Sequence, residues 1–234
     1  MARITRKELK TDRFALEVGH TVDFLEEHRG LILRIGGAAL VVILLVAGIV
    51  YYRRHQNAER ERALAQAMQV FEAPAGPQAA AAGGLSFPTE EAREQEAAKR
   101  FGEIASRYGG STQGLIAEYS LASIAADQGR TLEAEKRFKT VAEAGDRNYS
   151  ALAKLALAQI YFAGGRTAEG EALLRSVMDK PSVFVTRDEA TIALARGIAR
   201  SKPAEARKLV EPLRGSRNSA VSQAAIQAHA EIPQ

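Results

Sequence analysis

Cysteine is absent from the 234 residues of the chain, and only four histidines occur, at positions 20, 28, 55 and 229. Disulfides and thiolate zinc sites are therefore excluded. The four histidines lie on separate segments, so no pair at i, i+3 or i+4 spacing is available to hold a metal ion. The sequence predicts no metal site.

Motifs for catalysis and for phosphate binding are also lacking. There is no serine nucleophile elbow and no Walker-type loop. Gly83-Gly84 and Gly109-Gly110 follow no predicted strand, so they are typical of turns and not of phosphate-binding loops. The clustered carboxylates favour a solvated helical face over a catalytic pair; they are Glu90, Glu91, Glu94 and Glu96. We expect that the protein is not an enzyme and that it binds no cofactor and no small-molecule substrate.

Aromatic residues make up only 6% of the sequence, and the net charge of +4 is unevenly placed. Residues 1–62 carry much of the basic excess, around an apolar segment, and the remainder is close to balanced. A basic excess beside an apolar segment indicates membrane topology more often than nucleic-acid binding. Because no basic stripe with interleaved aromatics is present, we expect no nucleic-acid partner.

The chain is rich in Ala, Leu, Glu and Arg, and β-branched runs are rare outside one segment. These straight-chain residues lose little conformational freedom in a helix. The composition therefore predicts an all-α fold.

One long apolar run, from Ile35 to Tyr52, contains no charge. About 18 to 20 apolar residues at 1.5 Å each match a hydrocarbon core of roughly 30 Å, so we predict a transmembrane helix over residues 31–53. Tyr51 and Tyr52 stand where an interfacial aromatic belt is expected. A buried soluble helix is disfavoured because every face is apolar. A cleaved signal peptide is disfavoured by the late start of the run and by the poor cleavage pattern Val46-Ala47-Gly48.

Orientation follows from the Lys and Arg residues that flank the run. Seven precede it and four follow it closely, which favours an N-terminus on the inner side. We therefore predict a single-pass protein of the bacterial inner (cytoplasmic) membrane, with a cytoplasmic N-terminus and a periplasmic C-terminal domain.

Three further segments flank the predicted span. Residues 1–30 form a cytoplasmic tail in which Phe14, Val18, Val22 and Leu25 share one helical face; this helix lies on the membrane, binds a partner or merely displays its charges. Residues 54–72 continue as a strong helix former and are predicted to be a juxtamembrane helix. Residues 73–88, rich in Pro, Ala and Gly, are predicted to be a flexible linker.

An internal repeat is the most informative feature of residues 89–234. The first copy reads Leu121-Ala122, Gln128-Gly129-Arg130-Thr131, Ala134, Phe138 and Val141. About 36 residues later it recurs as Leu157-Ala158, Gly164-Gly165-Arg166-Thr167, Gly170, Leu174 and Val177. A weaker third copy reads Leu194, Ser201-Lys202-Pro203, Ala206, Val210 and Leu213. Each copy predicts a helix, a turn and a second helix, so residues 89–234 form about three stacked helical hairpins.

The repeat resembles the tetratricopeptide repeat, whose consensus has Leu-Gly or Leu-Ala in the first helix, a turn glycine, and then Ala and an aromatic residue. The resemblance implies an α-solenoid that binds other proteins, with the first helix of each hairpin lining a concave groove. Carried onto this chain, it implies groove residues on two hairpins; they are Tyr119, Ser123, Asp127, Gln159 and Phe162.

The whole layout of tail, span and helical-repeat domain resembles the YfgM-like family of ancillary Sec translocon subunits. That resemblance implies a scaffold beside the protein-export channel, with the translocon and periplasmic chaperones as partners. Two alternatives stay open: a cell-envelope assembly factor, or a regulatory membrane protein that holds a cytosolic signalling partner through its N-terminal tail.

Overall fold

A computed structural model describes residues 29–77 and 84–233. Over these residues the chain forms nine α-helices and one short 3-10 helix, with a single isolated β-bridge and no strand. The predicted all-α fold is confirmed. The elements in chain order are α1 (Arg29–Phe71), α2 (Glu90–Arg107), α3 (Thr112–Asp127), α4 (Thr131–Ala144), α5 (Arg147–Ala163), α6 (Thr167–Asp179), α7 (Arg187–Ile198), α8 (Pro203–Val210), the 3-10 helix η1 (Glu211–Gly215) and α9 (Ser219–Glu231).

The chain divides into two compact units, Met1–Ala58 and Glu59–Gln234. The described part of the first unit belongs to helix α1. From Gly37 onward, α1 is long and apolar enough to cross a membrane, and its apolar part is not buried in the protein. The predicted amphipathic tail lies almost entirely outside the described residues.

The second unit is a stack of helical hairpins. Helices α3 and α4, α5 and α6, and α7 and α8 form the three hairpins predicted from the repeat. Gly129 and Gly165 occupy the turns of the first two with φ of 72° and 76°, a left-handed conformation that residues with a Cβ adopt at a cost. The third turn has no such glycine. There the N–H of Ser201 and that of Lys202 both donate to the carbonyl oxygen of Ile198, and Pro203 starts α8.

A fourth hairpin precedes these three, and its first helix was not anticipated from the repeat. Ala67 and Val70 near the end of α1 are buried against Phe101 and Ile104 of α2. The rings of Phe71 and Phe101 meet edge to face, 6.0 Å apart. Residues predicted as a separate juxtamembrane helix thus supply the missing first helix for α2, because their apolar positions recur at helical spacing.

The segment predicted as a flexible linker is tied at its described ends. The N–H of Gly76 donates to the carbonyl oxygen of Phe87, and the N–H of Phe87 donates to that of Pro74, each over 3.0 Å. Phe87 also packs against the first core cluster. The middle of the segment, residues 78–83, lies outside the described residues.

Small side chains allow neighbouring helices to approach closely. Ala122, Ala134, Ala158, Gly170 and Ala206 of the repeat are all buried. The larger repeat residues fill the space between hairpins; they include Leu121, Phe138, Leu157 and Leu174, all buried. At the end of the stack, Ala225, Ala228 and Ile232 complete the last core cluster, so α9 covers the apolar side of α7 and α8.

A polar contact also recurs from hairpin to hairpin. In each case the turn residue of one hairpin reaches a glutamate on the second helix of the hairpin before it. The pairs are Gln128 with Glu94 at 2.7 Å, Arg166 with Glu135 at 2.5 and 3.0 Å, and Lys202 with Glu171 at 2.8 Å. This repeated contact fixes the register between successive hairpins.

Candidate partner-binding groove

The first helices of the hairpins lie side by side. Helix α3 contacts α5, α5 contacts α7, and α7 contacts α9, in addition to the contacts within each hairpin. Among the described residues, the backbones of α4 and α6, and those of α6 and α8, do not approach as closely, and α6 and α8 are joined through the side-chain ion pair of Arg175 with Glu205 at 2.7 Å. Because the first helices approach one another more closely than the second helices do, they line the inner side of the stack.

A cavity of about 450 Å³ opens on this inner side, between α5, α7 and α9. We call it the groove cavity. Its lining residues are Leu155, Gln159, Phe162, Glu189, Ile192, Ala193, Arg196, Gly197 and Ala224. Most of these side chains are apolar, and three polar groups stand among them. A concave apolar site with few polar groups is typical of binding sites.

Phe162 forms one wall of the cavity. A Cβ placed on Gly197 would stand 2.2 Å from Cε2 of the Phe162 ring, and one placed on Gly170 would stand 2.9 Å from its Cε1. Ordinary carbon contacts are about 3.5–4.0 Å, so both glycines are needed to admit the ring. Phe162 is half-buried and packs against the last core cluster, so the predicted groove residue is also a packing residue.

The polar groups of the cavity are held in place by neighbouring residues. The carboxylate of Glu189 accepts hydrogen bonds from the backbone N–H and the hydroxyl of Thr186, at 2.7 and 3.0 Å, in a capping box at the start of α7. Arg196 forms an ion pair with Glu231 at 3.1 Å. Gln159 is exposed. Glu189 is therefore fixed in the capping box before a partner arrives, and Arg196 is oriented by an exposed ion pair.

The other three predicted groove residues lie on α3, away from this cavity. The Tyr119 ring packs edge to face against Phe138 and Tyr149, with centroids 5.4 and 6.2 Å apart. Burial raises the pKa of Tyr119. The hydroxyl of Ser123 donates to the Tyr119 carbonyl oxygen over 3.2 Å, and Asp127 is exposed at the end of α3. The structure thus brings Gln159 and Phe162 together at one cavity, and it packs the half-buried Tyr119 ring against Phe138 and Tyr149.

Sequence reasoning missed the half of the cavity that α7 and α9 contribute. Ile192 and Arg196 stand one repeat after Leu155 and Gln159. Extending the repeat period into the third hairpin would have found them, but its missing turn glycine makes that copy weak.

No geometry for metal-dependent chemistry emerges from the described residues. Within them, no group of three or more His, Asp or Glu side chains is placed to hold a metal ion. The groove cavity offers surface and a few fixed polar groups, which suits recognition of another chain.

Comparison with known proteins agrees with this architecture. A family model described as a tetratricopeptide repeat-like domain matches residues 28–209, which is most of the chain. No curated protein and no solved structure matches the chain. Repeat domains of this type are generally protein-interaction modules. The chain belongs to the tetratricopeptide repeat-like domain family.

Proposed function

We propose that this protein is a membrane-anchored scaffold that holds a protein partner in the groove cavity. The observation that carries the proposal is the cavity itself, an apolar hollow of about 450 Å³ on the inner side of the hairpin stack. The apolar part of α1 is long enough to hold the protein in a membrane.

The chemistry of the cavity indicates what a partner brings. Leu155, Phe162 and Ile192 offer apolar surface to a large apolar side chain, and such anchors dominate protein interfaces when they fill a pocket. Glu189 and Arg196 offer fixed charges beside that anchor, which favours one orientation of the partner over others. Because Glu189 is already held by Thr186, its side chain needs little further ordering on binding.

The partner we propose is the Sec translocon together with periplasmic chaperones, with the repeat unit on the periplasmic side of the bacterial inner membrane. The layout of a short tail, one apolar helix and a helical-repeat unit supports this, since it resembles the YfgM-like family. The excess of Lys and Arg before the apolar run supports the orientation.

Copurification from solubilised membranes tests the proposal. Ala193, half-buried in the cavity wall, is replaced by Phe to fill the cavity; the matched control is Ala172→Phe on an exposed face of α6. We expect wild type and the control to retain translocon subunits or periplasmic chaperones, and Ala193→Phe to lose them. Both variants are first compared with wild type by circular dichroism.

Two results would contradict the proposal in different ways. Equal recovery of the same proteins with all three chains would remove the groove cavity as the binding site. Recovery of outer-membrane or cell-wall assembly proteins, or of cytosolic proteins that are lost when residues 1–28 are deleted, would replace the translocon by the corresponding alternative.

A further inference from the structure

One loop of the second unit displays two neighbouring apolar side chains to solvent. Val183 is 84% exposed and Phe184 is 47% exposed. They are adjacent in the 180–186 loop between α6 and α7, and we call them the apolar tip. Within the described part of the second unit, the other large apolar residues that are exposed stand singly: Leu85, Leu132 and Ile226.

The apolar tip is held in a defined conformation. Val185, the next residue, is buried. The N–H of Ser182 donates to the carbonyl oxygen of Val185 over 2.9 Å, and the N–H of Val185 donates back to Oγ of Ser182 over 3.0 Å. The N–H of Val183 donates to Oδ1 of Asn148 on α5 over 3.2 Å. The Phe184 ring meets Tyr149 edge to face at 5.5 Å. The exposure of the tip is therefore built into the fold and is not fraying.

Cations without acidic partners accompany the tip. Arg147, Lys154 and Lys180 line a cleft of about 480 Å³, which we call the basic cleft. Within the described residues, none of the three forms an ion pair or a side-chain hydrogen bond, whereas Arg166 and Lys202 of the neighbouring turns are paired. Lys180 begins the loop that carries the tip, and Arg147 precedes the asparagine that holds it.

The acidic groups in this region do not neutralise the positive charge of the basic cleft. Asp179 is the carboxylate among the residues that line it. Asp146 lies nearby, and its Oδ1 accepts the N–H groups of Asn148 and Tyr149 as the N-cap of α5. Three cations against these two carboxylates leave the basic cleft with a net positive charge.

An apolar tip beside unpaired cations fits the interface of an anionic bilayer. The apolar side chains enter the boundary between headgroups and acyl chains, and the long basic side chains reach the lipid phosphates. A protein partner fits less well, because two side chains of this size offer roughly 200 Å² where a stable interface uses about 800 Å² on each side. The candidate membrane span in α1 would keep the chain at a bilayer.

We propose that the apolar tip and the basic cleft dock the second unit on the surface of an anionic membrane. This inference rests on the membrane anchor of the proposed function and not on the groove cavity. The α1 anchor already holds the second unit near the bilayer, so its effective concentration at the membrane surface is high. Weak contacts of the apolar tip and the basic cleft therefore suffice for docking.

Environment-sensitive labelling of the full-length protein tests the proposal. The chain has no native cysteine, so Val183→Cys carries a single NBD label. Leu132→Cys is the matched control, since Leu132 is 85% exposed and no large apolar residue next to it in the sequence is exposed. Each labelled protein is reconstituted into vesicles of phosphatidylcholine, with and without phosphatidylglycerol, and checked by flotation.

We expect the NBD emission at position 183 to shift to the blue in vesicles with phosphatidylglycerol and to be quenched there by doxyl-labelled lipid. The label at position 132 stays unshifted. Replacing Arg147, Lys154 and Lys180 by Gln is expected to reduce the shift at 183 to the control value. The same replacement at Lys99, Lys136 and Lys208, which are exposed elsewhere on the unit, leaves the shift unchanged.

Several results would overturn the inference. Equal emission at positions 183 and 132 in anionic vesicles would show that the tip does not enter the bilayer. A shift that depends on protein concentration and not on lipid charge would assign the tip to contact between copies of the chain. A shift produced by inorganic phosphate in zwitterionic vesicles would assign the basic cleft to free phosphate. Protein that does not float with the vesicles would contradict the membrane anchor of the proposed function. The groove cavity is tested separately, by the copurification experiment with Ala193→Phe.

Discussion

Replacing Gly197 by Ala probes the packing of Phe162 against the groove cavity. A methyl group at Gly197 would lie 2.2 Å from Cε2 of the Phe162 ring and 2.4 Å from its Cδ2 and Cζ. The ring must then move by more than 1 Å to restore an ordinary contact of about 3.5–4.0 Å. Gly170 blocks movement on another side, so the ring is displaced toward the cavity or strained in place.

The magnitude follows from two opposing terms. Replacing a helical Gly by Ala stabilises a helix by up to about 1 kcal/mol. Forcing an additional carbon into a packed site costs about 1–3 kcal/mol. We expect Gly197→Ala to lower the free energy of unfolding by about 1–2 kcal/mol, or roughly 2–4 °C in thermal midpoint for each kcal/mol.

Gly102→Ala is the control, because Gly102 lies within α2 and a Cβ there meets nothing within 4 Å. It should raise the midpoint. The assay is thermal unfolding of the full-length protein in one detergent, followed by circular dichroism. If Gly197→Ala stabilised the protein as much as Gly102→Ala does, the Phe162 ring would not be confined by Gly197.

Three further predictions concern stability and topology. Hydrogen bonds from Arg166 and Lys139 lower the pKa of Glu135 from 4.5 to about 2. The contribution of the ionised Glu135 carboxylate to the free energy of unfolding is therefore present above pH 4.5 and lost as the pH falls toward 2. Because both cations remain partly exposed to solvent, we expect Glu135→Gln to cost about 1 kcal/mol at neutral pH, and this difference from wild type should vanish in acid unfolding curves. Tyr119→Ala should cost about 2–3 kcal/mol because it removes a ring packed on Phe138 and Tyr149, whereas Gln159→Ala should stay within about 0.5 kcal/mol in the same denaturation assay. Single cysteines at Thr11 and Gln128 test orientation in intact spheroplasts, where an impermeant maleimide should label position 128 alone; labelling of position 11 alone would reverse the proposed topology.

Much of the hairpin stack was predictable because its period is written in the sequence. Gly129 and Gly165 mark turns that need a left-handed residue, and Ala122 and Ala158 mark close helix approach. The fourth hairpin was not predictable in the same way. Its first helix is the end of α1, and Ala67 and Val70 follow an uninterrupted helical run that gives no local sign of where tertiary contacts begin.

The candidate site was predictable only in part, and for a physical reason. Gln159 and Phe162 follow from the repeat register, and both line the groove cavity. The same register also predicts Tyr119 as a groove residue, yet its ring packs against Phe138 and Tyr149, which lie on two other helices. Whether an aromatic side chain faces a groove or a neighbour depends on such long-range contacts, which one helix period does not encode.

Photo-crosslinking at the groove cavity shows whether a protein partner occupies it. A photoreactive residue replaces Gln159, which is exposed and lines the cavity, and a second replaces Lys136, which is exposed on α4. After irradiation of intact membranes, mass spectrometry identifies the adducts of each. We expect one defined protein adduct at position 159 that is missing at position 136 and weakened by Ala193→Phe. The same adducts at both positions, or none at position 159, would contradict a partner-binding groove.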